Sequence, residues 1–216
     1  MGFVVSTDLP EHYEKTRLRT LEDLEAHYAA ASPASLTKEI NYISNHYRAF
    51  IEKCPFVVVA SAGPEGLDCS PRGDPAGFVR VLDEKTVAMP DRRGNNRIDT
   101  LRNLVRDPRA SLLFLIPGIG ETIRINGRGY IVTEPELLAS FDINGKRPAS
   151  VILFKVDRVY FQCPKALVRS RLWHPDSQIA RRQLPSSGEI LAALSDEFNA
   201  EEYDKSYPKR IKDTIY

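Results

Sequence analysis

The residues best suited to chemistry lie between Ser70 and Arg97. One block reads Ser70-Pro-Arg-Gly-Asp-Pro-Ala-Gly-Phe78, and a second reads Met89-Pro-Asp-Arg-Arg-Gly-Asn-Asn-Arg97. Arg72, Arg92, Arg93 and Arg97 fall at strand ends or at a helix start. Arginine presents a planar fork of donors that matches phosphate oxygens. Gly94, Asn95 and Asn96 permit the tight backbone that gathers main-chain N–H groups, and a helix N-terminus adds partial positive charge. A doubly charged phosphate ester suits such a corner. The blocks contain neither GxxxxGK[ST] nor a GxGxxG following a strand, so a P-loop and a dinucleotide fingerprint are both excluded. The competing interpretation of Asp91–Arg97 is a solvated, charged turn whose asparagine caps the following helix.

Other chemistries find less support. His12, His27, His46 and His174 show no i,i+4 pairing and no HExxH, so no metal site is expected. His46 is expected on the packed face of its helix. No GxSxG occurs, and no Cys–His combination suggests a nucleophile, so no catalytic acid, base or nucleophile is assigned. Cys54, Cys69 and Cys163 are far apart, with neither CxxC nor zinc spacing, which suits buried or half-buried thiols in a reducing cytoplasm. Cys69 in particular is expected as a buried strand thiol. Trp173 suits either a core plug or dimer contact, or a cover over an apolar ring system.

Composition sets the frame. Thirty basic and 29 acidic side chains leave a net charge of +1, so global charge makes no case for nucleic acid or an anionic membrane. The arginine cluster also lacks the interleaved aromatics of a nucleic-acid surface. The most apolar run, Ser111–Ile116, is far too short to span a bilayer, and the N-terminus is acidic where a signal peptide is basic. A soluble, cytoplasmic protein is expected. At 216 residues, 42% hydrophobic, the chain can build one core without staples.

The elements that must position the arginines are mostly strands. Residues 1–54 read as a polar helical extension. One helix opens at Thr20-Leu-Glu-Asp, with Leu21, Leu24 and Tyr28 on one face, and another runs from about Asn41 to Lys53, with Tyr42, His46, Phe50 and Ile51 as its stripe. Strands follow at Phe56–Ala60, which looks covered on both faces, at Leu67–Ser70, Phe78–Leu82 and Thr86–Met89, and then at Ala110–Ile116, Glu121–Val132 and Val151–Phe161. Helices are predicted over Asn96–Arg106, Pro135–Phe141 and Gly188 to about Tyr203, with loose final residues. The expected organisation is one domain: a β-barrel over 55–175, antiparallel rather than parallel doubly wound, and a C-terminal helical segment over 176–216 packed on it.

The run from Phe56 to Trp173 resembles the pyridoxamine 5'-phosphate oxidase-related FMN-binding family. The resemblance rests on Pro55-Phe-Val-Val-Val-Ala-Ser61 with its hairpin, Ser70–Phe78, Pro90–Arg97, Asp107–Gly118, Glu121–Arg128, Cys163-Pro-Lys-Ala166 and Ser170-Arg-Leu-Trp173, in that order. It implies a mainly β protein with flanking helices: a homodimeric split antiparallel β-barrel with FMN at the subunit interface. The phosphate would lie near Asn95, Asn96 and Arg97, helped by Arg72 or by Arg92 and Arg93. The strand carrying Met89 and Pro90 would run along the flavin. Thr122 and Arg124 would reach toward its ring or ribityl chain, and Trp173 with Arg171 would come from the other subunit. Departures matter too. Glycine- and proline-rich Arg72–Gly77 replaces a bulky apolar stretch of the true oxidase, and Gly94-Asn-Asn-Arg97 stands for its Ser-Arg-Lys motif. Its C-terminal substrate-phosphate signature is not recognisable. The resemblance therefore implies an FMN-dependent oxidoreductase transferring hydride through flavin N5 to or from a small molecule, with a reduced nicotinamide as donor, rather than the true oxidase. The alternative is a non-catalytic binder of flavin, deazaflavin or haem.

Overall fold

The structure, a computed structural model, describes residues 9–216; the N-terminal residues 1–8 of the expected helical extension lie outside the described residues. The chain divides into two compact units at Lys38–Glu39. The first carries three short helices, α1 (Glu11–Glu14), α2 (Leu21–His27) and α3 (Pro33–Thr37). Thr20 and Asp23 form a reciprocal capping box at the start of α2, and Ser32 caps α3 ahead of Pro33. The N–H groups of Arg19 and Thr20 that Asp23 accepts hold its carboxyl below the ordinary range. Leu21, Leu24 and Tyr28 all remain exposed.

The second unit opens with α4 (Asn45–Lys53) and continues through β1 (Phe56–Gly63), β2 (Gly66–Gly73), β3 (Arg80–Asp83), β4 (Thr86–Asp91) and α5 (Asp99–Arg106). Then come β5 (Arg109–Leu115), β6 (Thr122–Val132), α6 (Pro135–Ser140), β7 (Ser150–Gln162), α7 (Lys165–Ser170), α8 (Ser187–Leu194) and α9 (Ala200–Thr214). All seven strands form a single antiparallel sheet in the order β2-β1-β5-β6-β7-β4-β3. Five strand spacings separate β2 from β4, roughly 24 Å in a flat sheet. Yet Arg72 on β2 lies 3.6 Å from Asp91 on β4. The sheet therefore curls on itself. No ladder joins β2 to β3 or β4, so the expected barrel is not closed by backbone hydrogen bonds; ion pairs span the seam instead.

Strand parity builds the core. Val57, Phe114 and Ile123 are cross-strand partners on β1, β5 and β6, and all three are buried. Each such side chain contributes about 1.5–3 kcal/mol by leaving water. β1 alternates, with Val57, Val59 and Ser61 buried and the intervening residues part-exposed, so it is covered on one face rather than two. β2 inverts the usual pattern. Its inward row is Asp68, Ser70 and Arg72, while Leu67, Cys69 and Pro71 face outward, Leu67 at 89% exposure. A β-bulge at Asn126/Gly127 bends β6 against β7. It requires glycine, because a Cβ at Gly127 would lie 2.0 Å from the Lys155 carbonyl oxygen.

Several sequence expectations need correction. α4 begins at Asn45, not Asn41, because Ser44 accepts from the Tyr47 N–H as the N-cap, while the Ile43 N–H donates to the Glu84 carbonyl, outside the helix. The inward stripe is consequently Tyr47, Phe50, Ile51 and Cys54, and His46 is exposed. α5 begins at Asp99, not Asn96. α7 was not foreseen. The C-terminal segment is two helices, because Asn199 caps a new start, and its final residue is tied down by a Tyr216–Asp74 hydrogen bond rather than loose. Cys69 is exposed, as the outward row of β2 requires, and so is Cys163; Cys54 is buried, and burial pushes its thiol up.

Candidate functional site

A cleft of about 510 Å³ opens where the inward row of β2, the end of β4, the 92–98 loop and the start of α5 converge. Its lining holds five arginines, Arg72, Arg92, Arg93, Arg97 and Arg147, against three aspartates, Asp68, Asp91 and Asp99. The excess of positive charge favours an anionic ligand.

The arginines differ in how far the protein already satisfies them. Arg92 is fixed: Nε donates to Asp74 Oδ2 at 2.7 Å and Nη1 to the Phe141 carbonyl at 2.8 Å. The Asp74 side chain is 1% exposed. Among the described residues Arg92 Nη2 has no hydrogen-bond partner. Arg72, 25% exposed, meets Asp91 at 3.6 Å, and its buried Nε has no hydrogen-bond partner among the described residues. A buried guanidinium donor left unmade is costly, and a ligand oxygen would relieve it. Arg97 is exposed and paired with Asp99 at 2.9 Å, Arg93 is exposed, and Arg147 lies 4.0 Å from Asp142. Burial pushes the Asp91 carboxyl above the ordinary range, and Arg72 only partly counters it. Burial, then repulsion from Arg92, lowers Arg80 at the neighbouring strand.

Backbone conformation shapes the same corner. Asn96 and Ile98 occupy the left-handed region at φ 60° and 52°. For a β-branched residue this is rare and costs on the order of 1–3 kcal/mol. Ile98 is the N-cap of α5 and supplies no side-chain cap, so the asparagine cap of the competing interpretation is not formed. Asn95 Oδ1 instead accepts the Arg97 N–H at 3.1 Å. No N-cap side chain satisfies the first-turn N–H groups of α5, and Asp99 and Thr100 of that turn line the cleft. Below them Asp68 accepts from Ser70 Oγ at 2.9 Å and from Thr100 Oγ1. Asn103 lies over Gly63, where a Cβ would come within 2.2 Å of its Oδ1, and donates to Ser61 Oγ.

The residues singled out from sequence fall into two groups. Arg72, Arg92, Arg93, Asn95, Asn96 and Arg97 all line the cleft. Met89 is buried in the core, and Pro90 lines an adjoining cavity of about 400 Å³ that shares Arg72, Arg92 and Arg93 with the cleft. Thr122 and Arg124 lie elsewhere. Arg72 shares its face with Val57, Phe114 and Ile123, and Thr122 and Arg124 flank Ile123 on the opposite face of the sheet. Three strand spacings, about 14 Å, also separate them from β2. Arg124 Nη1 donates to Tyr160 Oη at 3.2 Å and Thr122 Oγ1 to Gln162 Oε1 at 3.2 Å. Trp173 Nε1 donates to the Ile119 carbonyl at 2.8 Å, so its N–H is taken. Arg171 turns back on its own loop, meeting His174 Nδ1 at 2.9 Å and Asp176 at 3.1 Å.

Sequence reasoning missed Asp68, Asp74, Asp91, Arg147 and Tyr216. Alternation along Leu67–Gly73 carried a signal for Asp68, since it sits in register with Ser70 and Arg72. Nothing local marks Tyr216. Among the described residues no group of three or more histidine, cysteine or acidic side chains could hold a metal ion, and no helix is long and apolar enough to cross a membrane.

The protein is thus a curled antiparallel sheet with an arginine-lined cleft at its seam. A model of the pyridoxamine 5'-phosphate oxidase family matches residues 43–163, more than half of the chain, and the chain belongs to that family. No curated protein matches it. Among solved structures, HupZ of Group A Streptococcus is 19% identical, with 56% of this chain and 94% of that chain covered and a TM-score of 0.45. A Clostridium acetobutylicum protein related to general stress protein 26, of the pyridoxinephosphate oxidase family, is 11% identical, covering 55% and 86%, at a TM-score of 0.41. A Mesorhizobium loti FAD-binding protein is 12% identical, covering 56% and 93%, at 0.40.

Proposed function

We propose that this chain binds FMN, with the phosphate in the arginine cleft, and works as an FMN-dependent oxidoreductase on a small molecule. The observation that carries the reading is the buried Nε of Arg72, which has no partner among the described residues, beside Arg92, whose Nη2 likewise has none there. Two guanidiniums with donors to spare, next to uncapped N–H groups of α5, fit a phosphate dianion. A volume of about 510 Å³ lies in the range of small-molecule sites. Bound FMN would supply hydride transfer at its N5, with a reduced nicotinamide as donor. The protein's part is positional and electrostatic: Arg72 and Arg92 hold the phosphate, and the loop at Asn95–Arg97 closes over it. No side chain is assigned as acid or base.

The working unit in this proposal is a C2 homodimer that completes a split barrel. Thr122 and Arg124 cannot reach a ligand held by Arg72 of the same chain, because they lie on the other face of the sheet. A second copy docked on that outer face would bring them to the neighbour's cleft, where Arg124 would stabilise negative charge on the reduced ring. The outer face is suited to it: Phe56, Leu67 and Pro71 are exposed there beside Val58 and Leu113. The three cysteines, none in a disulfide, suit the cytoplasm. The test is FMN titration followed by NADH or NADPH oxidation. Tight FMN with steady turnover supports the oxidoreductase. Tight FMN without turnover, over a screen of acceptors, reduces it to a flavin-binding protein, and failure to bind FMN refutes the reading and directs loading with deazaflavin or haem.

A further inference from the structure

Tyr216 closes a chain of contacts that ends at the phosphate cleft. It follows α9, and its hydroxyl donates to Asp74 Oδ1 at 2.9 Å across 142 residues of sequence. Asp74 sits just beyond β2 in the Gly73-Asp-Pro turn, where its own N–H donates to the Pro55 carbonyl at 3.2 Å. Its side chain is almost wholly buried, and its two oxygens are divided between two donors: Oδ1 takes the Tyr216 hydroxyl and Oδ2 takes Arg92 Nε. The Arg92 guanidinium lies 5.5 Å from the centre of the Tyr216 ring. Its Nη1 is held from the other side by the Phe141 carbonyl. Ile215 and Tyr216 thus wall the cavity of about 400 Å³ that lies behind Arg72, Arg92 and Arg93.

We propose that Tyr216 is a positioning residue for the cofactor phosphate, acting through Asp74 to hold the Arg92 guanidinium in place at the cleft it lines; this rests on the FMN reading above. The physical reason is the buried carboxylate. A carboxylate shielded from water keeps its geometry only while both oxygens are hydrogen-bonded. Removing the Tyr216 hydroxyl leaves Oδ1 unsatisfied, so Asp74 rotates to share its remaining donor and Arg92 turns with it. A rigid, preoriented guanidinium binds phosphate more tightly than a mobile one, because less rotamer freedom is lost on binding.

The test is a double-mutant cycle on FMN affinity, read by quenching of FMN fluorescence, with Tyr216→Phe, Arg92→Ala and the two combined. Tyr216→Phe keeps the ring and loses only the hydroxyl. It is expected to raise the FMN dissociation constant about three- to tenfold, the effect of one net hydrogen bond. In the Arg92→Ala background the same change should do nothing further. Riboflavin, which lacks the phosphate, should bind wild type and Tyr216→Phe equally. Unchanged FMN affinity in Tyr216→Phe overturns the proposal. An equal loss in both backgrounds also overturns it and makes Tyr216 a mere anchor for α9. Wild-type protein that binds no FMN refutes the FMN reading itself, a different failure from wild type that binds FMN and ignores Tyr216.

Discussion

Replacing Arg72 by alanine removes a guanidinium that makes no hydrogen bond within the described residues and one loose ion pair, at 3.6 Å, to Asp91. In the free protein the loss falls on Asp91. Its carboxyl is already raised by burial, with Arg72 as the opposing influence, so removing Arg72 raises it further. A carboxyl raised in the folded state binds more protons folded than unfolded, so stability falls as pH rises through the interval between its unfolded and folded values. The penalty of Arg72→Ala should therefore be present at neutral pH and shrink as the pH falls toward the ordinary carboxylate value. If FMN binds as proposed, the loss in the complex falls on the phosphate. A charge-assisted hydrogen bond contributes about 1.5–3 kcal/mol, so FMN affinity should drop roughly 10- to 150-fold. Urea unfolding at pH 4 and pH 7 measures the first effect, and fluorescence titration with FMN at pH 7 measures the second. Unchanged FMN affinity in an Arg72→Ala, Arg97→Ala double variant would refute the phosphate assignment. A stability penalty that is the same at both pH values would refute the role given to Asp91.

Other predictions use different parts of the molecule. In native protein a thiol reagent should modify Cys69 and Cys163 quickly and Cys54 only on unfolding, because Cys54 alone is buried; three equally fast thiols would contradict the core described above. Asp107 is held down to about 2 by the side chain and backbone N–H of Arg109, so its stabilising influence is present above the usual carboxylate value and is lost as pH falls toward 2. An NMR titration that finds Asp107 protonating near 4 would contradict that pairing. Gly127→Ala should lower stability by about 1–3 kcal/mol or more in urea, since its Cβ would overlap the Lys155 carbonyl. If the outer sheet face pairs two copies, Leu113→Glu should shift the protein from dimer to monomer in analytical ultracentrifugation, and an unaltered dimer would place the interface elsewhere.

Much of the fold was legible because strands announce themselves by short-range chemistry. Val57, Val58 and Val59, the Gly63-Pro-Glu-Gly66 turn and Pro135 marked elements close to where they stand, and the arginines near Ser70 and Pro90 do meet in one cleft. The errors share a cause, which is that boundaries and facing depend on partners distant in sequence. The start of α4 is set by Ser44 and by the Glu84 carbonyl, which moves the packed stripe from His46 to Tyr47. Ile98 in a left-handed conformation breaks the helical pattern at Asn96, a position that periodicity alone assigns to the helix. Tyr216 could not be read at all, because Asp74, its partner, is 142 residues away. Unbroken β-branching points to two-sided burial of β1, yet it does not distinguish a core face from a part-exposed outer one.

The central claim is that this chain holds FMN through its phosphate. Its most direct test is an absorbance spectrum of the protein, incubated with FMN and then desalted. Bands of oxidised flavin should be retained, at about one FMN per chain, and should be lost when Arg72 and Arg92 are both replaced by alanine. A colourless protein after loading, or bands retained equally by the double variant, would contradict it.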